Sequence, residues 1–171
     1  MKTLLLLRHA KSSWDDPSLA DFGRPLASRG VKAAKRMGGE IAQRRWLPDR
    51  VLVSPALRTR QTWELVAAGL PGMPAVKFPE ALYEASAEEI LAEIRKTPET
   101  VGSLLVLGHN PGLEDLAEGL AGGDSDTDSL RRLREKFPTA ALARLEVEGE
   151  WRKLQPGCAR LTQYLRPKEL D

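Results

Sequence analysis

The sequence is poor in cysteine and in long apolar runs. Its 171 residues include one cysteine, Cys158, which excludes an intramolecular disulfide and a metal site built from a cysteine cluster. No apolar run exceeds the four leucines of Leu4–Leu7, far fewer than the roughly 18 residues that cross a bilayer. With Lys2 before it and Arg8 after it, this run is also too short for the core of a signal peptide. These absences predict a cytoplasmic protein that does not enter a membrane.

Aromatic side chains are also few. The chain has four Trp, two Tyr and three Phe, and none is interleaved with a run of basic residues. A nucleic-acid partner is therefore not expected, since single strands are held by aromatic side chains that stack on bases beside basic groups.

The charge is unevenly distributed although the net charge is only +2. Residues 1–60 hold 13 Lys and Arg against 5 Asp and Glu, a net of +8, and residues 61–171 hold 13 against 19, a net of −6. A basic third on a near-neutral protein indicates an anionic ligand bound locally. The alternative is that these side chains simply lie on solvated helix faces.

The remaining composition is that of a globular protein, with 42% hydrophobic and 29% charged residues, and its length suits one domain over residues 1–171. Short apolar runs alternate with helical patterns, which predicts a three-layer α/β/α fold with a mostly parallel central sheet. The predicted strands are Thr3–Leu7, Val51–Val53, Ala75–Phe78 and Ser103–Leu107. Near the end of the chain, Leu142–Glu148 and Trp151–Leu154 flank Gly149-Glu150, which predicts an antiparallel hairpin at the sheet edge.

Helix signals lie between the strands. An apolar stripe predicts a helix over Gly30–Arg45, although Gly38 and Gly39 weaken the pattern. Ser54-Pro55 and Asn110-Pro111 each offer a cap residue followed by proline at the first helical position. The segment Ser86-Ala87-Glu88-Glu89 has the pattern of a capping box. Gly122-Gly123 would end the last helix, and Asp124–Ser129 reads as a polar loop.

The most informative residues follow the predicted strands. The first strand runs into Arg8-His9, the second into Ser54-Pro55 with Arg58 close behind, and the fourth into Gly108-His109-Asn110. The chain has only two histidines, and each directly follows a buried strand. In open α/β sheets ligands bind outside the carboxyl ends of the strands, so these residues are expected to meet in one crevice.

This residue set suits phosphoryl chemistry. Two guanidiniums offer forked donors to phosphate oxygens, one imidazole can attack phosphorus, and the other can stabilise charge. A metal site of His9 and His109 with Asp15 or Asp21 is an alternative, but the fixed charge of Arg8 would repel a cation. A serine hydrolase is disfavoured because the G-x-S-x-G elbow is missing. Cys158 is interpreted as an inert buried or edge residue.

Four blocks of the sequence resemble the histidine phosphatase superfamily, also called phosphoglycerate mutase-like. The blocks occur in the family's order over residues 3 to about 120 and are Leu4-Leu5-Leu6-Leu7-Arg8-His9-Ala10-Lys11-Ser12, Asp21-Phe22-Gly23-Arg24-Pro25-Leu26, Ser54-Pro55-Ala56-Leu57-Arg58-Thr59-Arg60-Gln61-Thr62 and Gly108-His109-Asn110-Pro111-Gly112-Leu113. The short chain is most similar to the SixA group of phosphohistidine phosphatases. The family's usual Arg-His-Gly reads Arg-His-Ala here, so the backbone after His9 must avoid angles open only to glycine.

The resemblance implies a role for each matched residue. His9 would be the phosphorylated nucleophile, Arg8 and Arg58 would bind the phosphoryl oxygens, and His109 would complete the catalytic pocket. Ser12 and Asn110, which lie in the first and last blocks, are further candidate phosphate-binding residues. Many relatives carry an acidic residue in a Leu-x-Glu element, which Leu82-Tyr83-Glu84 matches; the alternative for Glu84 is an exposed side chain ahead of the Ser86 cap.

The implied function is hydrolysis of phosphohistidine on a protein, without metal or other cofactor, by a monomer or weak dimer. A general phosphatase of small phosphoesters and a phosphate-binding domain without turnover are the alternatives. Only 50 residues separate Arg58 from His109, which leaves little chain for a lid and favours an open site that admits a side chain displayed on a protein.

Overall fold

The computed structural model describes residues 1–170, which form one six-stranded sheet in the order β3-β2-β4-β1-β5-β6. The strands are β1 Lys2–Arg8, β2 Arg50–Val53, β3 Ala75–Lys77, β4 Ser103–Gly108, β5 Leu142–Val147 and β6 Ala159–Leu165. The first four strands pair in parallel, and β5 joins β1 and β6 antiparallel. The predicted mostly parallel sheet with an antiparallel edge is confirmed.

Helices cover both faces of this sheet. They are α1 Ser28–Gln43, α2 Leu57–Ala67, α3 Ala87–Arg95, α4 Gly112–Leu120 and α5 Thr127–Glu135. One core cluster joins the sheet to α1 and α2, and the other joins it to α3, α4 and α5. The three-layer prediction is therefore confirmed. In the described part of the chain, no helix has both the length and the apolar character needed to span a membrane.

The leucine run of β1 lies at the centre of the molecule. Successive side chains of a strand point to opposite faces, so Leu4 and Leu6 enter one core cluster and Leu5 and Leu7 the other. All four are fully buried, and each contributes about 1.5–3 kcal/mol of burial. This packing fixes the end of β1, and with it the positions of the two residues that follow.

The glycine in the middle of α1 has a packing reason. A Cβ on Gly38 would lie 2.8 Å from the backbone oxygen of Val66 in α2, closer than such atoms approach. Gly38 thus lets the two helices touch backbone to backbone, which offsets its low helix propensity.

The hairpin prediction is wrong in its second strand. β5 pairs with Ala159–Leu165, and Trp151–Lys153 forms a 3₁₀ turn within the connection. Trp151 is fully buried, its indole Nε1 donates to the oxygen of Val101 at 2.8 Å, and its amide donates to Glu99 at 2.7 Å. These long-range contacts override the turn signal of Gly149-Glu150.

Helix boundaries also differ from the sequence predictions. The segment Asp124–Ser129, predicted as a polar loop, contains the start of α5. The Asp126 side chain accepts from the amide of Ser129 at 2.9 Å and caps that helix. Neither proline occupies the first helical position, since α2 begins at Leu57 and α4 at Gly112. Ser54 instead stays at the sheet, its amide donating to the oxygen of Leu107. The predicted capping box of α3 is confirmed in both of its hydrogen bonds.

Candidate active site

The carboxyl ends of three adjacent strands bring the candidate residues together. β2, β4 and β1 are neighbours in the sheet, and the amide of His9 donates to the oxygen of Gly108 at 3.1 Å. The rings of His9 and His109 lie 5.3 Å apart between centroids, and Arg58 reaches the same place from the first turn of α2.

The ring of His9 is held with one nitrogen available for chemistry. Its Nδ1 lies 2.7 Å from the oxygen of Ala10, and because a carbonyl only accepts, Nδ1 carries the proton and Nε2 the lone pair. Burial, with smaller contributions from the nearby His109 and Arg58, lowers the pKa of His9 to about 3. His9 is therefore neutral near pH 7, the form in which an imidazole acts as a nucleophile.

His109 is fixed by two polar neighbours. Its Nε2 lies 2.7 Å from the hydroxyl of Ser54, and Arg58 Nη2 lies 3.4 Å from its Nδ1. A guanidinium only donates, so Nδ1 accepts and Nε2 carries the proton. Burial lowers the pKa of His109 to about 4, with Arg58 as the next cause.

Arg8 presents a donor that the protein leaves unused. Its Nη1 donates to the oxygen of Phe137 at 3.0 Å, whereas its buried Nε has no hydrogen-bond partner within residues 1–170. Burial lowers the pKa of this guanidinium. The backbone behind it is braced, because the amide of Ala140 donates to the oxygens of both Arg8 and His9. An unpaired buried donor beside a neutral imidazole is suited to an anion.

Asp21 organises Arg58, a contact that the sequence reasoning missed. Arg58 donates from Nη1 to the backbone oxygen of Asp21 at 2.7 Å and from Nη2 to its Oδ2 at 3.0 Å. Tyr83 donates its hydroxyl to the same Oδ2 at 2.5 Å. This hydrogen bond, followed by those from Arg58 and Arg24, lowers the pKa of Asp21 to about 2. Burial and Asp21 raise the pKa of Tyr83 to about 12.

The loop that carries Asp21 is anchored by Arg24. This buried guanidinium donates from Nη1 to Asp21 Oδ1 at 2.9 Å and from Nη2 to the hydroxyl of Ser12. The same guanidinium stacks on Trp14, with 3.3 Å between the guanidinium carbon and the ring centroid. Ser12, a candidate phosphate ligand, thus has its oxygen engaged by Arg24. The sequence signal was present, because Asp21 and Arg24 occur together in the second family-like block.

Asn110 and Glu84 occupy different kinds of position. Asn110 Nδ2 donates to the oxygen of Phe137 at 3.0 Å, and its Oδ1 accepts from the amide of Glu114 at 3.2 Å, so it braces the loop after β4. Glu84 is exposed, directly after Tyr83, with a left-handed φ of 53°. The phosphate role of Asn110 and the acid role of Glu84 stay predictions.

The backbone at Ala10, directly after His9, has a conformation that alanine can adopt. Within residues 1–170, positive φ at residues other than glycine occurs at Arg45, Glu84 and Ala140, so Ala10 avoids angles open only to glycine. Ala10 is fully buried, and its amide donates to Thr62 Oγ1 at 3.1 Å. This bond ties the loop after His9 to α2.

The carboxylates of the metal hypothesis are not arranged as ligands. Asp21 Oδ2 is engaged by Arg58 and Tyr83, and Asp15 is exposed. Over the described residues no three His, Cys, Asp or Glu side chains form a group able to hold a metal ion. Cys158 is exposed and immediately precedes the edge strand β6.

Comparison with known protein families identifies the superfamily of this chain. The sequence profile of the histidine phosphatase superfamily (branch 1) matches residues 4–135. The chain belongs to this superfamily, as the four blocks indicated.

Three known proteins are similar to this chain over most of its length. An uncharacterized protein of Mycobacterium tuberculosis is 40% identical over 163 residues, which span 95% of this chain and 100% of that protein. The phosphohistidine phosphatase SixA of Escherichia coli K12 is 29% identical over 148 residues, 85% of each chain. A solved structure from Agrobacterium tumefaciens, described as a candidate phosphohistidine phosphatase SixA, superposes with a TM-score of 0.82 at 33% identity and covers 97% of this chain and 98% of that one.

Proposed function

We propose that this protein is a phosphatase that hydrolyses phosphohistidine on a protein, through a covalent phosphohistidine intermediate on His9. The reaction requires no metal ion and no organic cofactor. The single observation that carries the proposal is the state of His9: its Nδ1 proton is committed to the Ala10 oxygen at 2.7 Å, so the lone pair lies on Nε2, in a ring whose centroid is 5.3 Å from that of His109.

In the first step, Nε2 of His9 attacks phosphorus and forms a new P–N bond. The bond between phosphorus and the substrate imidazole breaks, and that imidazole leaves with the electron pair, already protonated on its second nitrogen or protonated by solvent. Arg8 and Arg58 bind the non-bridging oxygens. A bound phosphoryl group also favours the protonated form of His109, since an opposite charge raises a histidine pKa.

In the second step, a water molecule attacks the phosphorylated His9. The P–N bond breaks, its electron pair returns to Nε2, phosphate is released, and the proton of the water passes to phosphate or solvent. Imidazole is a good leaving group in both steps, so a strong general acid is not needed, and Glu84 is the candidate where acid assistance is required.

Two observations support a protein-borne phosphohistidine as the substrate. The relatives include proteins described as phosphohistidine phosphatases. The chain between Arg58 and His109 is used by the rest of α2, by β3, α3 and β4, which leaves short connections over the site. A non-catalytic phosphate-binding domain is the weaker alternative, because both histidines and both arginines lie together.

The test compares substrates and variants in one assay. A protein carrying phosphohistidine is offered beside a panel of small phosphoesters, and kcat/KM is measured for each. We expect the phosphohistidine protein to have the highest kcat/KM. Preference for a small phosphoester would instead support the general phosphatase, and phosphate binding without any turnover would support the non-catalytic domain.

The nucleophile is tested with matched variants. His9→Ala should abolish turnover and prevent acid-labile ³²P labelling of the protein, because the attacking nitrogen is gone. Cys158→Ala should leave both unchanged, since the thiol is exposed. It also precedes Ala159, which lies in register, through Val147, with Lys2 at the opposite end of β1 from His9. Substantial turnover by His9→Ala would remove the nucleophile assignment.

A further inference from the structure

A groove rich in basic side chains lies beside the candidate active site. It encloses about 400 Å³, and we call it the basic groove. Its charged lining residues are Lys11, Arg29, Lys136, Arg166 and Lys168. No acidic side chain of residues 1–170 lines it. Arg166 is paired with Glu169 at 2.7 Å, so Lys11, Arg29, Lys136 and Lys168 give the groove its character.

The basic groove and the catalytic residues share the same backbone. Lys11 follows His9 by two residues, and its oxygen accepts from the amide of Ala27 at 2.9 Å, just before α1 begins. A Cβ on Gly30 would lie 2.1 Å from that oxygen, so the start of α1, with Arg29 on it, packs directly against Lys11.

The opposite wall is tied to Arg8. Lys136 precedes Phe137, whose backbone oxygen accepts from Arg8 Nη1 at 3.0 Å. Thr139, also in the lining, precedes Ala140, whose amide bonds to Arg8 and His9. The walls of the groove are therefore continuous in sequence with the residues that hold Arg8 and His9 in place.

The residue types that line the groove indicate which kind of ligand it binds. Neighbouring like charges repel one another, and this cost is recovered when an anion binds. The other lining residues are alanine, proline and threonine, so the aromatic platform on which nucleic-acid bases stack is missing from the described lining. Carboxylates on a polypeptide match these cations, and a polypeptide is what a protein-borne phosphohistidine brings to the site.

We propose that the basic groove binds an acidic segment of the phosphorylated protein substrate while the phosphohistidine occupies the site. This inference rests on the proposed function. Exposed charges at the edge of an interface act mainly on association and on its salt dependence. The groove should therefore lower KM for substrates with acidic flanks and leave the chemical step unchanged.

The experiment uses two synthetic phosphohistidine peptides, one flanked by glutamates and one by glutamines at the same positions. The wild-type protein should show a kcat/KM roughly tenfold higher for the glutamate peptide at low ionic strength, a preference that salt removes. The double variant Lys11→Gln, Lys136→Gln should lose this preference through KM and hydrolyse the glutamine peptide as the wild type does. Both lysines are exposed, so folding should be retained.

A control variant separates groove binding from net charge. Lys96→Gln, Lys153→Gln removes the same charge from two side chains that are 72% and 69% exposed and lie outside the groove. It should keep the preference for the glutamate peptide. Equal preferences in the wild type and the groove variant would overturn the inference.

Two further outcomes are distinguishable. If the wild type hydrolyses neither peptide, the proposed function fails rather than the groove alone. A polyglutamate competitor should inhibit turnover of the glutamate peptide by the wild type and not by the groove variant. Stronger competition by an oligonucleotide of equal charge, lost in the same variant, would overturn the choice of an acidic polypeptide.

Discussion

Replacing Arg58 by lysine tests the geometry of the candidate site most directly. Arg58 is 6% exposed, and its two terminal nitrogens reach three acceptors. They are the Asp21 oxygen at 2.7 Å, Asp21 Oδ2 at 3.0 Å and His109 Nδ1 at 3.4 Å. The planar fork satisfies these acceptors and still faces the site, whereas the single ammonium of lysine cannot reach all of them.

The expected loss follows from a preorganised charged contact. Removing one such contact costs about 2–4 kcal/mol of transition-state stabilisation, or roughly 30- to 1,000-fold in kcat/KM. The folded state should lose much less, about 1 kcal/mol for the weakened hydrogen bonds. In a chain of this length that corresponds to a Tm lower by about 2–4 °C.

Arg60 supplies the matched control on the same helix. It is exposed, and its Nε donates to the backbone oxygen of Pro55 at 2.9 Å. Arg60→Lys should change kcat/KM by less than about threefold, as is usual for a surface substitution. Both variants are assayed on phosphohistidine substrate at one ionic strength, with Tm measured in parallel. Equal small losses with unchanged Tm would refute the reasoning, because Arg58 would then not bind phosphate.

Three further results are expected. Activity should survive EDTA, since the guanidiniums beside the two histidines oppose a bound cation; loss that a divalent ion restores would support the metal hypothesis. Burial lowers the pKa of His9 to about 3 and of His109 to about 4 from 6.5, so unfolding takes up protons below about pH 6.5 and the unfolding free energy should fall between pH 7 and pH 5. Denaturant titrations at several pH values give the slope of the unfolding free energy against pH. In His9→Asn this slope should be smaller by about one proton, and an unchanged slope would contradict the lowered pKa of His9. Asp21→Asn should lower kcat/KM by freeing Arg58, and ultraviolet titration should show the pKa of Tyr83 below its present value of about 12; a Tyr83 pKa that does not move would show that Asp21 has little influence there.

The sequence alone determined the sheet centre and the residues that end its strands. An unbroken apolar run such as Leu4–Leu7 has to be buried on both faces, and a polar pair directly after it has to emerge at the strand end. The sequence by itself therefore places Arg8-His9 and His109 at one edge of a parallel sheet. These signals are local, because each consists of a short apolar run and the polar residues that directly follow it.

Only the tertiary structure decided the surroundings of those residues. Asp21 lies 37 positions from Arg58 and 62 from Tyr83, and their contact depends on the path of an irregular loop that Arg24 anchors. Trp151 likewise does not form a strand of a local hairpin, because its indole and amide donate to residues about 50 positions earlier in the chain. Side-chain hydrogen bonds between distant segments leave no periodic trace in the sequence, so the bracing of the site and the groove beside it became visible only in the folded chain.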